Sequence, residues 1–137
     1  MITAVDTNII IDILEPDPTF GPDSKSVLKQ CLNQGAVVAC DVVWAEAATA
    51  YGDITNDLVN AMNLMDIQFS AMSLEASMVA ATCWHSYREN TKTGKRIVAD
   101  FLIGGHALAQ CDRLLTRDRG FYKNYFNELT VIRVTSQ

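Results

Sequence analysis

Histidine is nearly absent from this 137-residue chain, and paired cysteine is absent altogether. Only His85 and His106 occur, while Cys31, Cys40, Cys83 and Cys111 are far apart with no C-x-x-C pair. A structural zinc site draws on closely spaced sulfur and imidazole ligands, so this pattern argues against one. The four cysteines read instead as reduced thiols, packed as small hydrophobes in a cytoplasmic protein. No apolar run approaches the roughly 18 residues of a membrane helix. The opening MITAVDTNIIIDILEPD has no basic n-region and carries acids within its apolar stretch, so it does not read as a signal peptide. Also missing are G-x-S-x-G, a Walker loop and G-x-G-x-x-G, which removes the common nucleophile-elbow, P-loop and dinucleotide-binding classes. With no repeat, low-complexity tract or linker, residues 1–137 form one expected domain.

The residues that are present describe an ordinary globular domain: 49% apolar, 20% charged, and long enough to bury a substantial core. The formal net charge of −5 speaks against a nucleic-acid partner, but its distribution weakens that objection. Residues 1–87 carry two basic and eleven acidic side chains, a net −9, whereas residues 88–137 carry nine basic and five acidic, a net +4. The cations gather in RENTKTGKR (Arg88 to Arg96) and around TRDRGFYK. Solvated charge and a local basic surface are both open readings of these clusters.

Short β-rich runs alternate with helical patterns. ITAV, AVVAC, IQFSAM, RLLT and LTVIRV read as strands. TNIIIDIL follows the first strand at helical spacing. All three prolines fall in Glu15 to Asp23, which is expected to be a loop. SKSVLKQCLNQG then reads as a helix capped by Ser24 or Asp23 and stopped by Gly35. Asp41 is placed to cap VVWAEAATAY, and ITNDLVNAMNLMD to form a further helix. Ser73 is placed to cap SLEASMVAATCWHSYREN, and His85 there reads as a packing residue beside Trp84 and Tyr87. TKTGKR is an expected loop, IVADFLIGGHALAQC a helix, and RGFYKNYF a short helix or loop. This alternation predicts a three-layer α/β/α fold with a central, mostly parallel sheet of about five strands.

In such sheets ligands collect beyond the carboxyl ends of the strands. Asp6 directly follows ITAV, and Asp118 follows RLLT by one residue. For Asp6, helix capping and ligation are equally open. Glu46 is the only charge between Asp41 and Asp53, in a helix of small and apolar residues. A buried carboxylate there needs a partner or a metal, although an exposed face could also hold it. Asp100 shares a helix face with Ile103, Gly104, Ala107 and Cys111. Gly104 and Gly105 each weaken that helix by about 1 kcal/mol relative to alanine, which close approach of a backbone or ligand would offset.

Four acids on four elements suggest a shared acidic pocket. Clustered carboxylates repel and have raised pKa values unless a cation joins them. Magnesium or manganese, hard ions that take oxygen ligands, resolve the conflict and can activate water for phosphodiester hydrolysis.

Taken together, AVDTNIIIDIL, the Glu46 segment VVWAEAA, and ADFLIGGHALAQCDRLLTRDRGFYKNYFNELTVI resemble a PIN-domain ribonuclease of the VapC toxin type. The resemblance spans essentially the whole chain and is most specific in its C-terminal third. It implies that Asp6, Glu46, Asp100 and Asp118 are the acidic metal ligands, and that Asn8 and Thr116 support them by hydrogen bonds. It further implies a five-stranded parallel sheet, Mg2+- or Mn2+-dependent RNA cleavage, a homodimer, and neutralisation by a VapB-like antitoxin. Arg96, Arg117 and Arg119 are candidate phosphate contacts, with solvated roles equally open. His106 could reach a phosphate or be a satisfied core histidine. The rival readings are a catalytically silent PIN-like binding module, an RNase H-like nuclease, and an aspartate-phosphorylating phosphatase. The last needs D-x-D after its first strand, where this chain has DTN.

Overall fold

The computed structural model describes residues 1–51, 56–90 and 98–135. Five strands build its centre: β1 (Ile2–Val5), β2 (Ala36–Cys40), β3 (Ile67–Ser70), β4 (Arg113–Thr116) and β5 (Val131–Arg133). In β1, β2 and β4 nearly every residue is buried, the pattern of strands covered on both faces. The sheet runs β3-β2-β1-β4-β5, and all four pairings are parallel. The helices are α1 (Thr7–Leu14), α2 (Gly21–Gln34), α3 (Asp41–Tyr51), α4 (Asn56–Leu64), α5 (Leu74–Asn90), α6 (Val98–Gln110) and α7 (Phe121–Tyr125). This is the expected α/β/α architecture. An all-parallel sheet also excludes the antiparallel meander of an RNase H-like fold.

Several local expectations change. The helix expected from Ser24 begins at Gly21, so the proline loop is shorter than Glu15 to Asp23. Pro22 sits in its first turn, where a missing N–H leaves no intrahelical bond unmade. Asp41 is the first residue of α3 and not a residue before it. His85 is exposed and pairs with Glu89 at 3.1 Å, one helical turn on, in place of the expected packing. Ser73 does cap α5, its Oγ accepting from the Ala76 N–H at 3.1 Å. The start of the helix expected from Ile54, and the TKTGKR loop with Arg96, lie outside the described residues.

The glycine pair in α6 is explained by close packing. A Cβ at Gly104 would come within 2.5 Å of the Phe126 ring, and one at Gly105 within 2.5 Å of the Ala76 carbonyl oxygen. Gly104 therefore admits the segment after α7, and Gly105 admits α5. Around this junction Tyr87, Phe101, Phe121, Tyr125 and Phe126 form an aromatic cluster with ring centroids 5.0–6.4 Å apart. Such edge-on pairs add about 0.5–1.5 kcal/mol each beyond the area they bury. They hold α7 against α5 and α6, directly beneath the loop carrying Asp118. Among the described residues no helix is long and apolar enough to cross a membrane.

Candidate active site at the carboxyl end of the sheet

The chain builds β1, β2 and β3 outward in one direction, then returns to add β4 and β5 on the other side of β1. The cleft between the carboxyl ends of β1 and β4 is thus the switch point where open α/β sheets bind ligands. Asp6 ends β1 there, its N–H donating to the Leu115 carbonyl at 2.9 Å. Its side chain also caps α1: Oδ1 accepts from the Thr7 N–H at 2.7 Å. Capping and a place in the cleft prove compatible, since Oδ2 faces the β4 side and accepts from Thr116 Oγ1 at 2.7 Å.

Thr116 and Asn8 knit the cleft together. The Thr116 hydroxyl donates to Asp6 and accepts from the Asp118 N–H at 3.0 Å. Asn8 reaches Asp6 Oδ2 at 3.4 Å and accepts from the Arg117 N–H at 3.3 Å. Asp118 Oδ2 accepts from the Gly120 and Phe121 N–H groups at 3.1 and 2.8 Å, which fixes its carboxylate as α7 begins. Glu46 is half-buried and joins from α3, its Oε1 accepting from Thr7 Oγ1 at 2.7 Å. Thr7 therefore ties two acids, one through its amide and one through its hydroxyl. Asp100, in the first turn of α6, acts electrostatically on Asp6. Thr7 and Thr116 thus link Asp6 to Glu46 and to Asp118, and Asp100 acts on Asp6 through its charge.

Asp6 is only 6% exposed, and among the described residues no cation offsets its charge. Burial raises its pKa from 3.8 to about 6. The Thr116 and Thr7 hydrogen bonds oppose that rise, and the Asp100 carboxylate adds to it. Tyr122, which the sequence reading passed over, faces the same cleft. Asp6, Asp100 and Asp118 all act on its hydroxyl, and burial first, then these charges, raise its pKa well above the ordinary value.

Other expected contacts are placed elsewhere. Arg117 turns inward: its Nε and Nη2 donate to Asp12 at 2.8 and 3.0 Å, and its guanidinium lies 4.4 Å from the Phe20 ring centre. It is paired with Asp12 while its side chain stays partly exposed, lining the same surface groove as Arg119. Asp12 and Thr7 went unnoticed in the sequence. Asp12 is a lone acid in the apolar α1, the same signal that marked Glu46 and Asp100. Arg119 is exposed and lines a groove with Phe20, Arg133, Val134 and Thr135. His106 is a satisfied core residue, 1% exposed, with its Nε2 at 2.9 Å from Ser70 Oγ.

Among the described residues no three His, Cys, Asp or Glu side chains close into a cage that would hold an ion by themselves. The acidic donors, Asp6, Glu46, Asp100 and Asp118, are all oxygen, and the buried Tyr122 hydroxyl lies beside Asp6. That combination fits a hard cation that keeps several waters and is gripped by one or two carboxylates.

A PIN-domain family model matches residues 3–127. The fold is similar to VapBC2 from Rickettsia felis bound to a DNA fragment from its promoter: TM-score 0.76, 18% identity, covering 98% of this chain and 100% of that one. VapBC-1 from nontypeable Haemophilus influenzae aligns with TM-score 0.72 and 18% identity over 97% and 98% of the two chains. A toxin–antitoxin complex from Klebsiella pneumoniae aligns with TM-score 0.67 and 17% identity over 98% and 99%. No curated protein sequence matches the chain. With the family model covering nearly its full length, the chain belongs to the PIN-domain family.

Proposed function

We propose that this chain is a metal-dependent endoribonuclease of the VapC toxin type, restrained by a cognate VapB-like antitoxin and working as a cytoplasmic homodimer. The observation that carries the reading is the buried Asp6 at the switch point of the sheet, with no cation among the described residues paired to it, Asp100 acting on it, and Glu46 and Asp118 tied to it through Thr7 and Thr116. The structurally similar toxin–antitoxin complexes support the biological setting.

Asp6, Asp100, Glu46 and Asp118 are the residues that would hold Mg2+ or Mn2+. When bound, such an ion neutralises phosphate charge and lowers the pKa of a water nucleophile. The chain's own part is orientation. Thr116 and the Thr7 amide fix the two oxygens of Asp6, and the Thr7 hydroxyl holds Glu46 towards the cleft. The Gly120 and Phe121 amides set the Asp118 carboxylate. Arg119, with Arg133 beside it, supplies cations at the rim that draw in an RNA backbone the acids alone would repel.

Induced expression followed by mapping of 5′-phosphate RNA ends tests this reading, with Asp100→Ala as control. New ends appearing only with the unaltered protein support it. Growth arrest without new ends contradicts it.

A further inference from the structure

An aromatic ring stands among the cations beside the acids. Phe20 lines a groove of about 270 Å3 together with Arg117, Arg119, Arg133, Val134 and Thr135. Arg119 and Arg133 also line the smaller hollow that contains Asp118, so the groove and that acid share a wall. Arg133 is in register with Thr116, the residue whose hydroxyl holds Asp6. A chain that has a phosphate at Asp6 and continues past Asp118 meets this groove next.

The ring is fixed by the chain around it. Phe20 stands just before α2, its N–H donating to Asp17 Oδ1 at 2.8 Å and its carbonyl accepting from the Ser24 N–H at 2.8 Å. The Arg117 guanidinium lies 4.4 Å from the ring centre, and its two hydrogen bonds to Asp12 keep it there. Phe20 and Arg117 are each only partly buried, so the pair still presents surface to the groove. Asp12 offsets the charge of Arg117, whereas neither Arg119 nor Arg133 is in an ion pair among the described residues.

The two arginines alone would suit any polyanion, a nucleic acid or an acidic protein segment. The Phe20 ring separates the two cases. The face of an aromatic ring is electron-rich and repels a carboxylate, but every nucleobase stacks on it. Stacking needs an unpaired base that can be splayed from its neighbours, the state found in single strands and loops of RNA.

We propose that this groove is a nucleotide subsite, in which Arg119 and Arg133 hold a phosphate next to the scissile one and Phe20, backed by Arg117, stacks on the base. The inference rests on the function proposed above and adds to it a demand for an unpaired nucleotide on the Asp118 side of the cut.

Two fluorescent oligomers of equal length and charge test it: single-stranded oligoadenylate and an abasic counterpart with the same ribose–phosphate backbone. Their dissociation constants are measured by anisotropy with a metal chelator present, so that binding is read without cleavage. The unaltered protein is expected to bind the base-bearing oligomer about tenfold more tightly. Phe20→Ala should bring the two constants together, and Phe20→Trp, which keeps a stacking face, should keep them apart. Arg119→Ala combined with Arg133→Ala should weaken both oligomers alike. Equal binding of the two oligomers by the unaltered protein overturns the proposal, as does no binding of either. Equal binding with full displacement by an oligoglutamate of the same charge would mark a surface for acidic protein segments in its place. A preference that survives Phe20→Ala, or that Phe20→Trp fails to keep, also overturns it. Cleavage is scored separately: the base preference without RNA cleavage sinks the endoribonuclease and leaves the subsite standing, and cleavage without the preference does the opposite.

Discussion

Asp6 and Asp12 cap and occupy the same helix and are buried to a similar degree, yet their surroundings differ sharply. Asp12, 2% exposed, receives both arms of the Arg117 guanidinium and the Ser24 hydroxyl at 3.0 Å. Among the described residues Asp6 receives neutral donors, from Thr7, Thr116 and Asn8, and has Asp100 as an electrostatic neighbour. One acid is paired with a cation, and the other has none among the described residues. Burial of a carboxylate is therefore not in itself a sign of function; burial without a counter-charge is.

The largest effect that sharpens this contrast is Asp6→Asn. It should lower RNA cleavage by about 10²–10³-fold or more, the scale of losing a central electrostatic group, while leaving the metal-free protein at least as stable as before. Retained cleavage in a single-turnover assay would break the assignment. Asp12→Ala should do the reverse, destabilising the fold by about 3 kcal/mol in chemical denaturation, because it strands a partly buried guanidinium. Loss of cleavage at unchanged stability would place Asp12 with Asp6 and dissolve the comparison.

The third effect is a pH dependence. The pKa of Asp6 is raised from 3.8 to about 6, so between these values the folded protein holds a proton that the unfolded chain has released. Metal-free stability should accordingly fall as pH rises from about 4 to about 6, by at most about 3 kcal/mol, and this drop should vanish in Asp6→Asn. Denaturant titrations across that range would show it, and a rise in the Asp6-dependent part would contradict it. Smallest is the rim: replacing both Arg119 and Arg133 with alanine should reduce the salt slope of single-stranded RNA binding by about 1.4. An unchanged slope would remove both from the RNA path.

The sheet was legible in the sequence because its β-branched runs are short, buried and separated by strong helix patterns. Asp6 and Asp118 could be placed because strand ends were visible in ITAV and RLLT. Glu46 and Asp100 stood out as single charges in apolar helices. The same criterion applied to Asp12, but a lone acid in sequence does not reveal whether an arginine folds back onto it. For that reason the pairing of Arg117 with Asp12 was not visible in the sequence. Tyr122 was hidden because an aromatic in a short helix normally signals packing. Its ring does pack, and only the three-dimensional placement of the hydroxyl sets it apart. The start of α2 was misjudged because proline in a first turn looks, in one dimension, like proline in a loop.

The most direct test of the central claim is calorimetric titration of Mn2+ into the metal-free protein near pH 6, repeated in two buffers of different ionisation enthalpy. An uncompensated Asp6 is about half protonated there. Saturable binding in the micromolar-to-millimolar range should then release about half a proton per ion, and Asp6→Asn should abolish that release. Absence of saturable binding, or binding whose proton release is the same in Asp6→Asn, would contradict the account.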